Sequence, residues 1–516
     1  MSKSFKPNQA KKNLGAVYTP QHLSIWLARH LKELGCDPSV ILDPAAGTGA
    51  LLEGSNLVFP KALLKGYEID QQAHAALVRS GWASGASYCD ALLIKDWFAD
   101  SDDGCKLIFS NPPWGAKINE GTSKIYKHNF QAARGSFDIF DLFVEKTIKT
   151  LNSGDWAALF LPDSLLLENH SETRRMIHNN VLVHSITRLP EGIFPGVNMG
   201  SMAVVIQKVP VPVNHKVKFS RIGRLEYFSG NQTYSELEDY RSRNEIDVKQ
   251  STWIESSAAN WHGGHASLES VSLPSDLINH SSEKSGSSWD LWFTSGRGLE
   301  IGKKQLVKGY PLVSVSDQMI PIVVGEDVNR RSVHPSRLMN LSEIKGLRLK
   351  NEFVPGKRLL VRKTGIGIKA AVAEDVVTTQ TVYHFRLNEQ APHYALHYAA
   401  GFLTSRVLIA IHLAKTGETE WRSHPYVTQK VIRDLQLPIP NPGSVEERIA
   451  INIAQTSELL HLKADAELED LLDHLVAELL GRGDSLVRWA INFLESIEGC
   501  SYTKLLSTGL RPKKTA

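Results

Sequence analysis

Between residues 15 and 210 short β-rich runs alternate with amphipathic helical stretches, and that rhythm leaves the chain few architectures. Strands are predicted at SVILD (39–43), LLKGYEI (63–69), CKLIFS (105–110), DWAALFL (155–161), VLVHSITRL (181–189) and GSMAVVIQK (200–208). Helices are predicted over 20–34 and 138–151; in the second, Ile139, Phe143 and Ile148 recur near helical spacing. Alternation at this pace predicts a parallel, doubly wound, Rossmann-like α/β sheet. Such sheets bind ligands at the carboxyl ends of their strands, so the residues that carry chemistry are expected directly after the strand runs.

They appear there. Asp43-Pro44-Ala45-Ala46-Gly47-Thr48-Gly49 follows the first run. Gly47 and Gly49 allow a tight turn and a close approach of a ligand to the backbone where a side chain would collide. The string has neither the G-x-G-x-x-G spacing of a dinucleotide site nor the Lys-Ser/Thr of a phosphate-binding P-loop. Glu68 closes the second run, where a carboxylate can accept both hydroxyls of a ribose. Asp90 sits at the end of a third predicted strand and can accept from an adenine amino group. Singly, each acid reads as a solvated loop residue; in this order they form a nucleoside-binding edge.

Ser110-Asn111-Pro112-Pro113-Trp114 follows KLIF. An Asn-capped Pro-Pro turn is common in loops, but these residues also suit one reaction. An exocyclic amine on a base is a poor nucleophile because its lone pair is delocalised into the ring. The Asn111 side-chain oxygen and the Pro112 carbonyl can accept its two N–H groups, which localises the lone pair and aims it. Pro113 stiffens the loop, and Trp114 offers a face on which a base can stack.

The chain has 516 residues, 42% hydrophobic and 22% charged, which predicts a globular protein of two or three units. No run approaches a membrane span, and the basic N-terminus lacks the apolar core of a signal peptide, so a cytoplasmic location is expected. Cys36, Cys89, Cys105 and Cys500 form no C-x-x-C pair, in keeping with a reducing compartment. Residues 290 to 440 hold 21 Lys+Arg against 13 Asp+Glu, a balance of +8 in a chain whose net charge is +3. A basic segment broken by glycines reads either as a face turned to a polyanion or as an ordinary solvated surface. The expected divisions are 1–214 as the catalytic unit, 215–289 as extension and linker, 290–444 as the basic unit, and 445–516 as a leucine-rich helical tail closing its own domain.

Taken in order, GAVYTP (15–20), DPAAGTG (43–49), YEID (67–70), CD (89–90) and NPPW (111–114) resemble the gamma class of adenine-N6 DNA methyltransferases, the Taq I-like N-6 methylases of restriction–modification systems. The likeness runs from Gly15 to Lys208, and more loosely beyond residue 290 to that family's target-recognition region. It implies a class I methyltransferase domain using S-adenosyl-L-methionine, joined to a mixed α+β recognition domain for double-stranded DNA. For this chain it implies cofactor contacts by Tyr18, Thr19 and Pro20, with Thr19 near the methionine moiety. The cofactor loop is then Asp43, Pro44, Ala45, Gly47 and Gly49. Glu68 takes the ribose with Ile69 as a further cofactor contact, Asp90 and Ala91 the cofactor adenine, and Phe143 an aromatic edge of that pocket, with Asn111 also touching the cofactor. Asn111, Pro112, Pro113 and Trp114 match the catalytic tetrapeptide, although the family usually has Tyr or Phe where Trp114 stands. Phe194 matches a second aromatic that stacks on the opposite face of a flipped-out base.

These correspondences imply direct, in-line methyl transfer to an extruded adenine, without a covalent intermediate and without a metal. His262 and His265 in WHGGH lack an evident third ligand and read as loop histidines. Arg297, Lys303, Lys304, Arg362, Lys363 and Lys369 are the expected DNA contacts. A separately encoded restriction endonuclease or other defence subunits are the expected partners, and with the cofactor segment starting at Gly15 no room is expected ahead of it for a nuclease domain. Glu245 to Lys249 matches a nuclease core poorly and reads as a surface segment. The rival readings are a methylase of RNA or of protein glutamine using the same tetrapeptide, and a non-catalytic DNA-recognition subunit.

Overall fold

A computed structural model describes residues 18–81, 85–99, 104–116, 118–133, 137–166, 168–197, 199–243, 245–253, 261, 287–300, 306–308, 319–340, 356–364, 367–416 and 427–496. The chain divides into two compact units, residues 1–266 and 267–516.

In the first unit α1 (Gln21–Glu33) precedes β1 (Val40–Asp43), α2 (Ala50–Val58), β2 (Leu63–Glu68), α3 (Gln71–Ser80), β3 (Gly85–Tyr88) and β4 (Lys106–Ser110). Then come α4 (Glu120–Asn129), α5 (Ile139–Thr150), β5 (Trp156–Pro162), α6 (Ser171–Asn180), β6 (Leu182–Leu189) and β7 (Ser201–Gln207). Each strand expected from the sequence is present. They join one nine-stranded sheet in the order β3-β2-β1-β4-β5-β7-β6-β8-β9, which includes two strands introduced below. β1 and β4 are neighbours, with β2 and β3 on one side and β5 on the other, all parallel. The order reverses between β1 and β4, and a crevice is expected at their carboxyl ends.

Two expectations need correction. The sheet is not wholly parallel, because β7 runs antiparallel to both β5 and β6. The 11 residues between β6 and β7 provide a direct return and no crossover helix, so the strand re-enters reversed. Nor does the sheet stop at residue 214. β8 (Lys216–Arg221) pairs with β6, and after α7 (Arg224–Ser229) and α8 (Tyr234–Arg243), β9 (Ile246–Lys249) pairs with β8. Within the string from Glu245 to Lys249, Ile246–Lys249 is therefore an edge strand. Its half-exposed, charged alternation, with an ion pair from Lys216 to Asp247, left it illegible as a strand.

The core explains why these runs fold so. β1, β5 and β7 are buried on nearly every residue, as both-face packing requires. Trp26, Leu27, Leu42, Ile108, Phe140 and Phe160 are fully buried in one cluster. Helix starts are set by side chains: Asp70 accepts from Ala73 N–H at α3, and Asp138 and Asp141 form a reciprocal capping box at α5.

In the second unit, β10 (Phe293–Arg297), β17 (Val382–Leu387), β14 (Lys357–Arg362) and β15 (Ala370–Glu374) form an antiparallel sheet in that order. A second sheet runs β11 (Val307–Lys308), β13 (Arg337–Asn340), β12 (Met319–Val323) and β16 (Val377–Thr378). Leu359, Val361 and Phe385 of the first sheet share a core with Ile453, Leu472 and Ala490 of the terminal helices Val445–Leu462, Ala466–Leu479 and Asp484–Ser496. The leucine-rich tail thus packs into the same body as the strands, and the division expected at 444 falls inside it. Arg330, buried, reaches Glu469 through two hydrogen bonds of 3.0 and 2.7 Å, so neither buried charge is left uncompensated. Among the described residues, no single helix is long and apolar enough to cross a membrane.

Candidate active site

A cavity of about 270 Å³ opens at the carboxyl ends of β1, β2, β3 and β4, where the strand order reverses. The turn after β1 contributes Pro44, Ala45 and Gly47; the end of β2 contributes Glu68 and Ile69. Asp90 and Ala91 come from the turn after β3, Asn111 and Pro113 from the turn after β4. Tyr18 and Phe143 complete the residues expected there. Seven others stand outside the lining: Thr19, Pro20, Asp43, Gly49, Pro112, Trp114 and Phe194. Thr19 and Asp43 act on lining residues from behind, as shown below. Pro20 precedes α1, and its carbonyl accepts from Leu23 N–H at 3.1 Å.

The glycines divide. Gly47 has φ +55° with open space where a Cβ would stand, so a side chain is disfavoured there by backbone conformation. Gly49, at φ +94°, starts α2, and a Cβ on it would meet Leu77 Cδ1 at 2.8 Å. The left-handed backbone, together with the close Leu77 side chain, restricts Gly49.

Glu68 is tied by two backbone donors. Oε2 accepts from Gly47 N–H and Oε1 from Asp70 N–H, each at 2.7 Å. Burial nonetheless raises its pKa. Each oxygen keeps acceptor capacity towards the cavity. Asp90 accepts from Leu92 N–H at 3.0 Å and from the Tyr126 hydroxyl at 2.8 Å. Burial and the Asp90 carboxylate push the Tyr126 hydroxyl upward, so it remains a donor. Tyr126 is the sole buried residue of α4, and with Ile118, Asn119 and Thr122 it makes a cavity wall that the sequence reading missed. Nothing local marks it, because α4 is otherwise polar and the partner lies 36 residues away. Two carboxylates bordered by Ile69, Leu92 and Phe143 suit a nucleoside, with hydroxyl and amino donors at its rim and an apolar ring. S-adenosylmethionine carries such a group.

The tetrapeptide is fixed at three points. The Ser110 hydroxyl donates to Asp43 Oδ1 at 2.8 Å. Asn111 Nδ2 donates to Thr19 Oγ1 at 3.0 Å. Gly115 N–H donates to both oxygens of Asp138, at 3.0 and 2.9 Å. Asp138 is capped by Asp141, which also meets His170 Nδ1 at 2.8 Å and the Thr173 hydroxyl at 2.6 Å. Asn111 Oδ1 and Trp114 Nε1 are buried with no hydrogen-bond partner among the described residues. A buried acceptor left open is costly, which marks Asn111 Oδ1 as a place for a donor from outside.

Trp114 and Phe194 do meet, but edge to face, with ring centroids 5.3 Å apart at 89°. Phe194 is 1% exposed and also lies against Phe160 at 5.5 Å. Each ring fills the space that a base clamped between them would take, so a clamp requires the rings to part.

Asp43 is 1% exposed, and burial lifts its carboxyl to about 7 against two hydrogen bonds, helped by the nearby Glu68 charge. A pKa higher in the folded than in the unfolded chain stabilises the fold fully below the ordinary value of 3.8, and that contribution is lost as pH rises through about 7. Both hydrogen bonds end on Oδ1, which an asparagine retains. Asp43→Asn should therefore fold at neutral pH and flatten the fall in stability between pH 4 and 7. Denaturant midpoints across that range test this, and an unaltered slope would mean that Asp43 ionises normally.

Of the expected DNA contacts, Arg297, Arg362, Lys363 and Lys369 gather at one end of the sheet β10-β17-β14-β15. Arg297 is in register with Tyr383, Arg362 with the adjacent Val382, and Arg362 N–H bonds to Lys369 O. Lys363 N–H bonds to Thr381 O, and Arg297 pairs with Glu300 at 3.3 Å. Lys303 and Lys304 lie outside the described residues, as do His262 and His265. Among the described residues His30, Glu33 and Glu238 approach one another, but Glu238 already accepts from Trp26 and Arg241.

Residues 3–271, more than half the chain, match the family model described as N-6 DNA Methylase. The chain is similar to the methylase subunit of the type I restriction enzyme StySJI of Salmonella typhimurium, 26% identical over 241 residues covering 41% of this chain and 44% of that protein. It is similar also to the methylase subunit of type I restriction enzyme EcoEI of Escherichia coli, 28% identical over 209 residues, 36% of this chain and 41% of that one. The matches thus span less than half the length of these relatives. Among solved structures, the type IIL restriction–modification enzyme MmeI in complex with DNA shares the fold at 13% identity, over 96% of this chain and 80% of that one, with a TM-score of 0.57. By its sequence match over residues 3–271, this chain belongs to the N-6 DNA methylase family.

Proposed function

We propose that the protein transfers a methyl group from S-adenosylmethionine, the donor its family uses, to the exocyclic N6 of adenine at a specific site in double-stranded DNA, as a gamma-class enzyme. The observation that carries this is Asn111: it lines the cavity, its Nδ2 is engaged behind, and its Oδ1 is buried and open. An amine is the ligand such an acceptor needs, and the carbonyl of the next residue, Pro112, which stands outside the cavity lining, would take the second N–H once the base is seated. The donor supplies an activated methyl group on a sulfonium. Glu68 would hold its ribose and Asp90 its adenine amino group, with Phe143 and Ile69 along the ring.

Target adenine reaches Asn111 only outside the duplex. Trp114 and Phe194 then part to receive it, and the rigid tetrapeptide keeps the amine aimed at the methyl group. Because the loop is held by Asp43, Thr19 and Asp138 at once, little reorganisation remains for the reaction itself. The protein acts in the cytoplasm as the modification component of a restriction–modification or phage-defence system, beside a separately encoded endonuclease or other subunits; the names of its relatives support this role.

Sequencing of modified bases in DNA from a methylation-free host expressing the chain should reveal N6-methyladenine at one sequence context. Unmodified DNA, together with methylated RNA or glutamine side chains, would replace this reading with that of a methylase for another planar nitrogen.

A further inference from the structure

We infer that Thr19 is a positioning residue for Asn111, holding the amide by its NH₂ group so that Oδ1 is turned to the amine that is methylated. This rests on the adenine-N6 reading and adds a residue to it. The resemblance had implied that Thr19 touches the methionine moiety of the cofactor. In the structure Tyr18 lines the cavity and Thr19 does not. Thr19 is 8% exposed, Asn111 is 6% exposed, and the 3.0 Å bond between them spans 92 residues of sequence.

A primary amide has two orientations of nearly the same shape, and they differ in what they present. With Oδ1 outward, Asn111 accepts from an amine. With NH₂ outward, two donors face each other and the amine is repelled. A threonine hydroxyl can accept or donate, so its oxygen alone does not choose. The choice comes from both ends together: the amine rewards an outward Oδ1, and Thr19 Oγ1 then accepts the inward NH₂ with no buried donor left over. Without that acceptor, the outward-Oδ1 state strands a buried N–H group and loses its advantage.

The anchor is rigid. Thr19 lies two residues before α1, whose Leu23, Trp26 and Leu27 are fully buried in the main core. Backbone donors of Leu23 and Ser24 turn back onto Pro20. Thr19 Oγ1 is thereby located by packing, independently of the loop it supports.

The test compares Thr19→Val, which keeps the shape and removes the hydroxyl, with Thr19→Ser, which keeps the hydroxyl. Calorimetry with S-adenosylmethionine and steady-state methylation of DNA are read for both in the full chain. Thr19→Val is expected to lower kcat tenfold or more, with the cofactor Kd and the KM for DNA within threefold; Thr19→Ser should recover most of the rate. The Asn111 side-chain amide protons, assigned by their loss in Asn111→Ala, should exchange with solvent faster in Thr19→Val and not in Thr19→Ser. That last measurement does not depend on turnover, so it holds even if the substrate proves not to be DNA adenine. Equal damage in both variants, unaltered amide exchange in Thr19→Val, or a cofactor Kd that weakens in step with kcat would overturn the assignment.

Discussion

Asn111→Ala is expected to lower methyl transfer by about 10²–10³-fold or more, the loss seen when one preorganised polar group is removed from a reacting centre, with the cofactor bound within several-fold of wild type. The asymmetry follows from where its atoms point. Nδ2 is spent on Thr19, and Oδ1 has no hydrogen-bond partner among the described residues. The nucleoside edge is built separately, from Glu68 and Asp90, each held by its own backbone donors. Alanine removes the open acceptor and leaves those two carboxylates in place. The target amine would then keep only the Pro112 carbonyl, its lone pair staying delocalised and unaimed. The measurement is paired: calorimetry with cofactor, and single-turnover transfer to DNA. Turnover close to wild type would remove Asn111 from the chemistry; a cofactor affinity that collapses in parallel would make it a binding residue instead.

How far the sequence could be read depended on whether the partners in each interaction are close in sequence or distant. Strands β1, β4 and β5 were legible because burial on both faces leaves continuous apolar runs. The cavity side of the turns after β1, β2, β3 and β4 followed from strand ends and glycine chemistry. β8 and β9 were not legible, since KVKFSR and IDVK alternate charged with apolar residues at a sheet margin, a weak and short signal. Tyr126, Asp138 and the Thr19–Asn111 bond were missed for another reason. Each acts on a residue 23 to 92 positions away, and no local pattern encodes such a pairing. Trp114 and Phe194 show the limit of correspondence by motif. Their proximity was expected and is present, but their edge-to-face contact was not readable, because it depends on how Phe160 seats Phe194.

Residues 1–266 alone are expected to bind cofactor and to lose site-specific DNA methylation completely. The apolar clusters make the cut reasonable. The main core of the first unit draws on residues from Leu23 to Trp261, and that of the second on residues from Trp289 to Leu494, with none in common. The division expected at 444 would have left the second core without Ile453, Leu472 and Ala490, so the helical tail must leave with the strands. The basic balance of +8 lies wholly in the part removed, as does the strand-end group of Arg297, Arg362, Lys363 and Lys369. Such a group suits contact with phosphates and base edges, and within the intact chain its members should separate into two classes. A phosphate-contacting Lys→Ala should weaken binding to every sequence and reduce the salt slope by about one. An Arg→Ala at a base edge should relax one position of the site at a cost of roughly 1–3 kcal/mol. The truncated protein is first checked for cofactor binding by calorimetry, which the intact nucleoside edge should preserve, and then assayed on DNA. Methylation that persists at the same sequence in residues 1–266 would place recognition in the catalytic sheet, and the basic strand ends would then lose their proposed role.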